Sequence, residues 1–280
     1  IMTYSFVSPK EYDKIRLPKD DPKRKSVTIL NPLGEDTSIM RTNIIPSMML
    51  TLAKNYNNRN GAVALYEIGN EYIPVEGQEL PDEVPNLALG MYGEDKDFFV
   101  LKGIVENLLD TLGIADYDVA ACHDNPTFHP GRCALLSKDG EEIGILGEIH
   151  PLVCANYGIN TRVYVGKLNM RKLYAMQDTD KKYHPLPKFP ASTRDLALLC
   201  DEDLPVLTME KAIKAAAGKI LEKVELFDVY KGSQIASGKK SVAFNISMRA
   251  GDRTLTDEEV NSAMNKILKA LEELGAQIRS

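Results

Sequence analysis

Cysteine is scarce in this 280-residue chain: the four that occur, Cys122, Cys133, Cys154 and Cys200, lie far apart with no Cys-x-x-Cys pair. That spacing implies neither a disulfide framework nor a zinc ribbon, and reduced core or surface thiols are expected. No apolar run approaches the ~20 residues of a membrane-spanning helix, and the N-terminus lacks the basic-then-apolar layout of a secretory signal. A soluble intracellular protein with no membrane partner is expected. Positive charge is not in excess either, because 34 Lys+Arg against 40 Asp+Glu give a net charge of −6. Non-specific nucleic-acid binding is thereby disfavoured. There is no internal repeat and no low-complexity tract. The opening Ile1-Met2-Thr3-Tyr4-Ser5-Phe6 has no methionine in first place, and the chain is expected to be cut from a longer one.

What is present is globular composition, 44% hydrophobic and 26% charged, enough for a real core. The length suits two domains at ~100–200 residues each. Residues 186–280 hold 14 basic and 14 acidic side chains, so all the net negative charge lies in the first part. RNA contact therefore stays open for the C-terminal part alone. The boundary is the run Gln177 to Pro190, where Pro185, Pro187 and Pro190 fall within six positions and force extended backbone. The expected division is a module over 1–178, a linker over 179–188 and a second module over 189–280.

In the first module Val27–Leu30 reads as a strand and Pro46 opens a helix, with Met49, Leu52, Ala53 and Tyr56 at helical spacing. Strands are expected at Val63–Ile73, Asn86–Tyr92 and Arg162–Leu168, and a helix at Phe98–Leu112 with Leu101, Ile104, Val105, Leu108, Leu109 and Leu112 on one face. Asp139-Gly140 between Arg132–Lys138 and Glu141–Ile149 predicts a two-residue hairpin. Turn-joined strands imply a largely antiparallel sheet with helices against it, an α+β layout. The second module reads strand (193–200), helix (208–219, capped by Thr208), strand (224–231), strand (239–249), helix (256–274) and a short closing strand (276–279). Thr256-x-x-Glu259 is a capping box. The order β-α-β-β-α-β is ferredoxin-like, with both helices on one face of the sheet and the other face open.

Parity describes that open face. Val242, Phe244, Ile246 and Met248 are apolar and must meet the helices, so Ser241, Asn245, Ser247 and Arg249 point out. With Phe227 and Val229 inward, Asp228 and Tyr230 also point out. A tyrosine beside serine and carboxylate resembles a base-stacking platform, since aromatic rings on a sheet stack unpaired bases while hydroxyls and carboxylates read base edges. A tyrosine at a sheet edge or subunit contact is the alternative. Cys122, His123, His129 and Cys133 lack regular ligand spacing, so no metal site is expected. Gly140-x-x-x-Gly144-x-x-Gly147 lies inside a hairpin and is not a phosphate loop. Glu148 and His150 have no marked nucleophile nearby, and no catalytic residue is expected.

Four ordered segments then carry a family resemblance: Phe189-Pro190-Ala191-Ser192-Thr193-Arg194-Asp195-Leu196-Ala197, Val224 to Gly232, Gly238 to Phe244, and Arg253 to Asn261. They resemble the ferredoxin-fold anticodon-binding domain of the bacterial phenylalanyl-tRNA synthetase beta subunit. Leu65-Tyr66-Glu67-Ile68-Gly69, Phe128-His129-Pro130-Gly131-Arg132 and Ile145 to Pro151 are similar to the preceding part of that subunit. The resemblance implies a class II synthetase-like antiparallel sheet module followed by a ferredoxin-like domain. It further implies that the first module has lost catalysis, and residues 1–185 contain no Arg-x-Glu with which class II enzymes hold the ATP α-phosphate. The expected role is a non-catalytic scaffold and tRNA(Phe) anticodon reader in phenylalanine–tRNA ligase, a cytoplasmic enzyme. Partners would be tRNA(Phe) and the alpha subunit, in a heterotetramer of two alpha and two beta. ATP and Mg2+ are implied for the holoenzyme and no cofactor for this part. The resemblance places the first anticodon base on Tyr230 as platform, with Asp228, Ser241 and Ala197 around it. Lys239, Lys240 and Arg249 are expected at phosphates from charge and proximity. Met40-Arg41-Thr42 and the helix bearing Met48 and Met49 resemble the class II interface motif, so Met40, Arg41, Met48 and Met49 are expected at the alpha subunit. A stand-alone structural protein keeping these folds without RNA is the other reading.

Overall fold

The computed structural model describes residues 1–180, 182–183, 185–232 and 235–279. Two of the positions in the expected linker, 181 and 184, thus lie outside the described residues. The chain divides into two compact units, Ile1–Lys181 and Lys182–Ser280.

The first unit runs β1 (Phe6–Val7), α1 (Lys10–Lys14), β2 (Ile39–Met40), α2 (Ile45–Asn57), β3 (Val63–Ile73), β4 (Asp82–Tyr92), α3 (Phe98–Thr111), β5 (Asp118–Ala121), β6 (Phe128–Lys138), β7 (Glu141–Ile149), α4 (Pro151–Asn156), β8 (Tyr164–Asn169) and α5 (Met170–Met176). Its main sheet has the order β3-β4-β8-β7-β6-β5, every neighbour antiparallel. Alternation along β4 explains how both faces are covered. Leu87, Leu89 and Met91 pack with Leu101, Val105 and Leu109 of α3, while Ala88 and Tyr92 pack with Met48, Met49 and Leu52 of α2. Gly90 lies on the α2 side, where a Cβ would press into Met48 and Leu52. The β6–β7 hairpin turns at Asp139 (φ 52°) and Gly140 (φ 80°), the left-handed pair that a two-residue loop requires.

The second unit comprises β9 (Ser192–Asp201), α6 (Val206–Ala217), β10 (Leu221–Tyr230), β11 (Lys239–Met248), α7 (Asp257–Glu273) and β12 (Gln277–Ile278). The sheet order is β10-β11-β9-β12, all antiparallel. Leu196, Leu198, Cys200, Val242, Phe244, Ile246 and Met248 meet Met209 and Ile213 of α6 and Val260, Ile267 and Leu271 of α7 in one core. Both halves of the Thr256/Glu259 capping box form. The Thr256 amide, and secondarily Arg253, hold the Glu259 carboxyl below its ordinary range. Among the described residues no helix is long and apolar enough to cross a membrane.

Three expectations are corrected. The run Val27–Leu30 is not a strand: among the described residues it contributes a single bridge, Thr28 to Ile39, because Leu30 stands fully in solvent and has no sheet face to lie on. Ile104 is 43% exposed, so the buried stripe of α3 is the narrower Leu101–Val105–Leu109 row. The helix α6 starts earlier than expected and is capped at Pro205, whose carbonyl accepts from the Thr208 amide, so Thr208 is not the cap.

Candidate nucleic-acid interface

The sheet face away from α6 and α7 is assembled by register. Tyr230 lies opposite Ser241, which lies opposite Leu199. One row along, Asp228 lies opposite Ala243 and Ala243 opposite Ala197. Since neighbouring strands are ~4.8 Å apart and alternate residues ~6.6 Å apart, Tyr230, Asp228, Ser241 and Ala197 share one small patch. Ala197 is partly exposed while Leu196 and Leu198 on either side are buried, and alternation at that strand is thereby resolved. Ser241 is itself only 4% exposed.

What covers Ser241 is Arg279, a residue to which no sequence motif points. Its Nη1 donates to Ser241 Oγ at 3.3 Å, and its guanidinium carbon lies 5.8 Å from the Tyr230 ring centroid. The Arg279 amide donates to the Ala197 carbonyl, which fixes the segment against β9. A cation over a tyrosine ring is attracted by the ring quadrupole, and a guanidinium carries more donors than its one bond to Ser241 uses. Gly232 completes the setting, since a Cβ there would collide with the Tyr230 hydroxyl and push the ring away.

Of the three cations expected at phosphates, one is on this patch. Lys239 heads β11 beside Tyr230 and pairs with Asp201 at 2.7 Å. Lys240 is not on it: this residue shares the parity of Val242, is 7% exposed, and its Nζ donates to the Leu204 carbonyl at 2.6 Å on the helix side. Arg249 is also corrected. It lies eight residues beyond Ser241, ~26 Å along an extended strand, and its guanidinium is held by Glu222 at 3.0 Å and by the Phe189 carbonyl.

The expected subunit-contact residues are largely internal to the first unit. Arg41 is 1% exposed, and its Nη2 reaches Glu67 Oε1 at 3.1 Å while its Nε donates to the Asn70 carbonyl. Met48 and Met49 are fully buried. This corrects the assignment of Arg41, Met48 and Met49 to a partner-facing surface: α2 is covered on two flanks, so consecutive methionines both enter the core. Met40 remains partly exposed, and Leu50 on the third flank is 42% exposed.

The first unit's buried carboxylates face bases of the same chain: Glu67 meets Arg41, Glu71 meets Lys167 at 3.0 Å, and Glu148 meets Arg132 at 2.8 Å. The four thiols are buried. Burial pushes Cys154 up to about 11, and burial followed by the neighbouring Cys122 raises Cys133 well above a thiol's usual range. No cluster of three or more His, Cys, Asp or Glu that could hold a metal occurs among the described residues.

Comparison with known proteins assigns both units. Residues 1–170 match the family model described as the phenylalanyl-tRNA synthetase beta chain CLM domain, and residues 187–279 match the ferredoxin-fold anticodon binding domain. The chain is 50% identical over 280 residues to the phenylalanine–tRNA ligase beta subunit of Clostridium tetani, covering 99% of this chain and 35% of that protein. Identity to the same subunit of Clostridium acetobutylicum is 47%, again over 99% of this chain and 35% of the relative. The chain thus spans about a third of the length of these curated relatives. A solved pyrrolysyl-tRNA synthetase from Desulfitobacterium hafniense shares the fold, with a TM-score of 0.51 at 15% identity over 62% of this chain and 61% of that one.

Proposed function

The chain belongs to the phenylalanyl-tRNA synthetase beta-chain family, and from that premise we propose that it is the non-catalytic scaffold and anticodon reader of phenylalanine–tRNA ligase. Residues 1–178 act as an inactive class II-like module, 179–188 as linker and 189–280 as the RNA-binding domain. The supporting observation is the patch on the open sheet face, where Tyr230, Asp228, Ser241 and Ala197 converge under Arg279. Once Arg279 swings off Ser241 and the ring, the Tyr230 ring stacks the first anticodon base, while Asp228 and Ser241 meet its edge. Ala197 leaves room for the base to lie flat, and Lys239 and Arg279 attract the flanking phosphates.

The partner of the first unit is the alpha subunit, in an assembly of two alpha and two beta working in the cytoplasm. Met40 and Leu50 are the residues of the interface motif left for that contact. ATP and Mg2+ serve the holoenzyme's ligase reaction and are held by the alpha subunit. The carboxylates Glu67, Glu71 and Glu148 are neutralised by bases of their own chain, and no Arg-x-Glu is present in residues 1–185 to hold phosphates, so the first unit does not fit nucleotide or Mg2+.

The test is titration of a synthetic tRNA(Phe) anticodon stem-loop. Tyr230→Ala should weaken binding by ~1–3 kcal/mol, the usual worth of one base–aromatic stack, and Tyr230→Phe should retain most of the affinity. Asp228→Asn and Ser241→Ala should relax discrimination among first anticodon bases. Unchanged affinity in a correctly folded Tyr230→Ala protein would refute the reading.

A further inference from the structure

We propose that Phe227 is a second stacking platform on the same sheet face, taking an unpaired RNA base adjacent to the one on Tyr230. The inference rests on the RNA-reading role above and deepens it. Strict alternation along β10 assigns Phe227 to the helix side with Val229. A β-bulge overrides that alternation: Leu226 pairs with Phe244 and Asp228 with Ala243, which leaves Phe227 as the extra residue. The residue is 59% exposed. Together with Asp195, Glu225, Leu226 and Asn245 it lines a shallow depression of about 380 Å3. Glu225, Asn245 and Asp195 form one row across three strands, on the outward parity shared with Ser241.

The chemistry of the depression selects its occupant. Its charged lining is two carboxylates, Asp195 and Glu225, of which Glu225 also pairs with Lys223 at 2.5 Å, so the lining offers acceptors more than it attracts a phosphate. The amino and imino groups of a base edge, by contrast, find acceptors there. Asn245 Nδ2 already donates to Asp195 Oδ1 at 2.7 Å, which pre-orients both groups and spares their rotamer entropy when a ligand binds. Phe227 lies three residues from Tyr230 on the same strand, ~10 Å away, and ferredoxin-like sheets that bind single strands stack two or three successive bases on such aromatics. The Phe227 depression therefore takes a base presenting N–H groups on its edge, while the phosphates run over Lys239 and Arg279.

The whole 280-residue chain is titrated with anticodon stem-loops carrying 2-aminopurine at each anticodon position in turn. Phe227→Leu keeps the apolar bulk and removes the flat ring, Phe227→Tyr keeps the ring, and Tyr230→Ala serves as control. Phe227→Leu should weaken binding about 5- to 150-fold, as for loss of one stack, with the salt dependence unchanged. It should also release the emission of a different anticodon position from the one released by Tyr230→Ala, and Phe227→Tyr should bind like the parent. If Tyr230→Ala loses binding while Phe227→Leu binds like the parent, this inference is wrong and the anticodon reading stands. If neither substitution matters, the reading itself fails. A Phe227→Leu protein that binds weakly but releases the same position as Tyr230→Ala, or shows an altered urea midpoint, assigns Phe227 to supporting the sheet and overturns the second platform. A ring that instead receives a lysine or arginine of a protein partner gives parent-like RNA binding, which overturns it equally.

Discussion

Replacing Arg41 by methionine separates a residue that holds the first unit together from one that waits for a partner. Arg41 and Glu67 side chains are each 2% exposed, and Gly69 leaves the space that the guanidinium fills. Removing one member of a buried pair usually costs ~3–5 kcal/mol, because the other charge stays buried without compensation. Here Glu67 would keep the Thr3 amide at 3.2 Å and the Thr3 hydroxyl at 2.7 Å, which places the expected loss near the lower bound, ~3 kcal/mol. With a urea dependence of ~2 kcal/mol/M for a unit of this size, the midpoint falls by roughly 1.5 M. Far-UV circular dichroism in urea measures the fall, and hydrogen exchange of the β3 amides assigns it to the first unit. The double variant Arg41→Met/Glu67→Met should recover to within ~1 kcal/mol of the parent, since an apolar pair replaces the ionic one. A parent-like midpoint in the single variant would refute the burial argument and return Arg41 to the partner surface.

Lys239→Ala and Arg279→Ala should each lower the salt dependence of stem-loop binding by about one, the signature of one lost phosphate contact, whereas Lys240→Ala should leave it unchanged because that ammonium faces Leu204. A Lys240→Ala slope as altered as that of Lys239→Ala would contradict the inward placement. Acid should erase the advantage that Glu259 confers on α7. Its folded value lies below the unfolded one, so the contribution is complete above about pH 4.3 and is lost as pH falls through the folded value. The urea midpoint of the parent should exceed that of Glu259→Gln near neutral pH, and the gap should close as pH falls through the folded value; a gap independent of pH would show that the capping carboxylate is not the cause.

Features whose cause is local are legible in the chain's own residues. Asp139-Gly140 dictates its hairpin because only left-handed φ values close a two-residue loop. Thr256 and Glu259 dictate the start of α7 because each satisfies the other's amide within one turn. Alternation along β11 separates Val242, Phe244, Ile246 and Met248 from Ser241 and Asn245, and it also assigns Lys240 to the helix side. Charge was the misleading signal at that position. The rest emerges only on folding, because the partners that matter are remote in the chain. Arg41 is buried by Glu67, 26 residues away. Arg279 reaches Tyr230 and Ser241 only because β12 pairs with β9 and not with an edge nearer in sequence. Phe227 escapes the strict alternation of its strand because pairing with β11 inserts a bulge. A strand's alternation is intrinsic to its backbone, whereas the partner that it pairs with, and any residue left over in that pairing, is settled by the packed core as a whole.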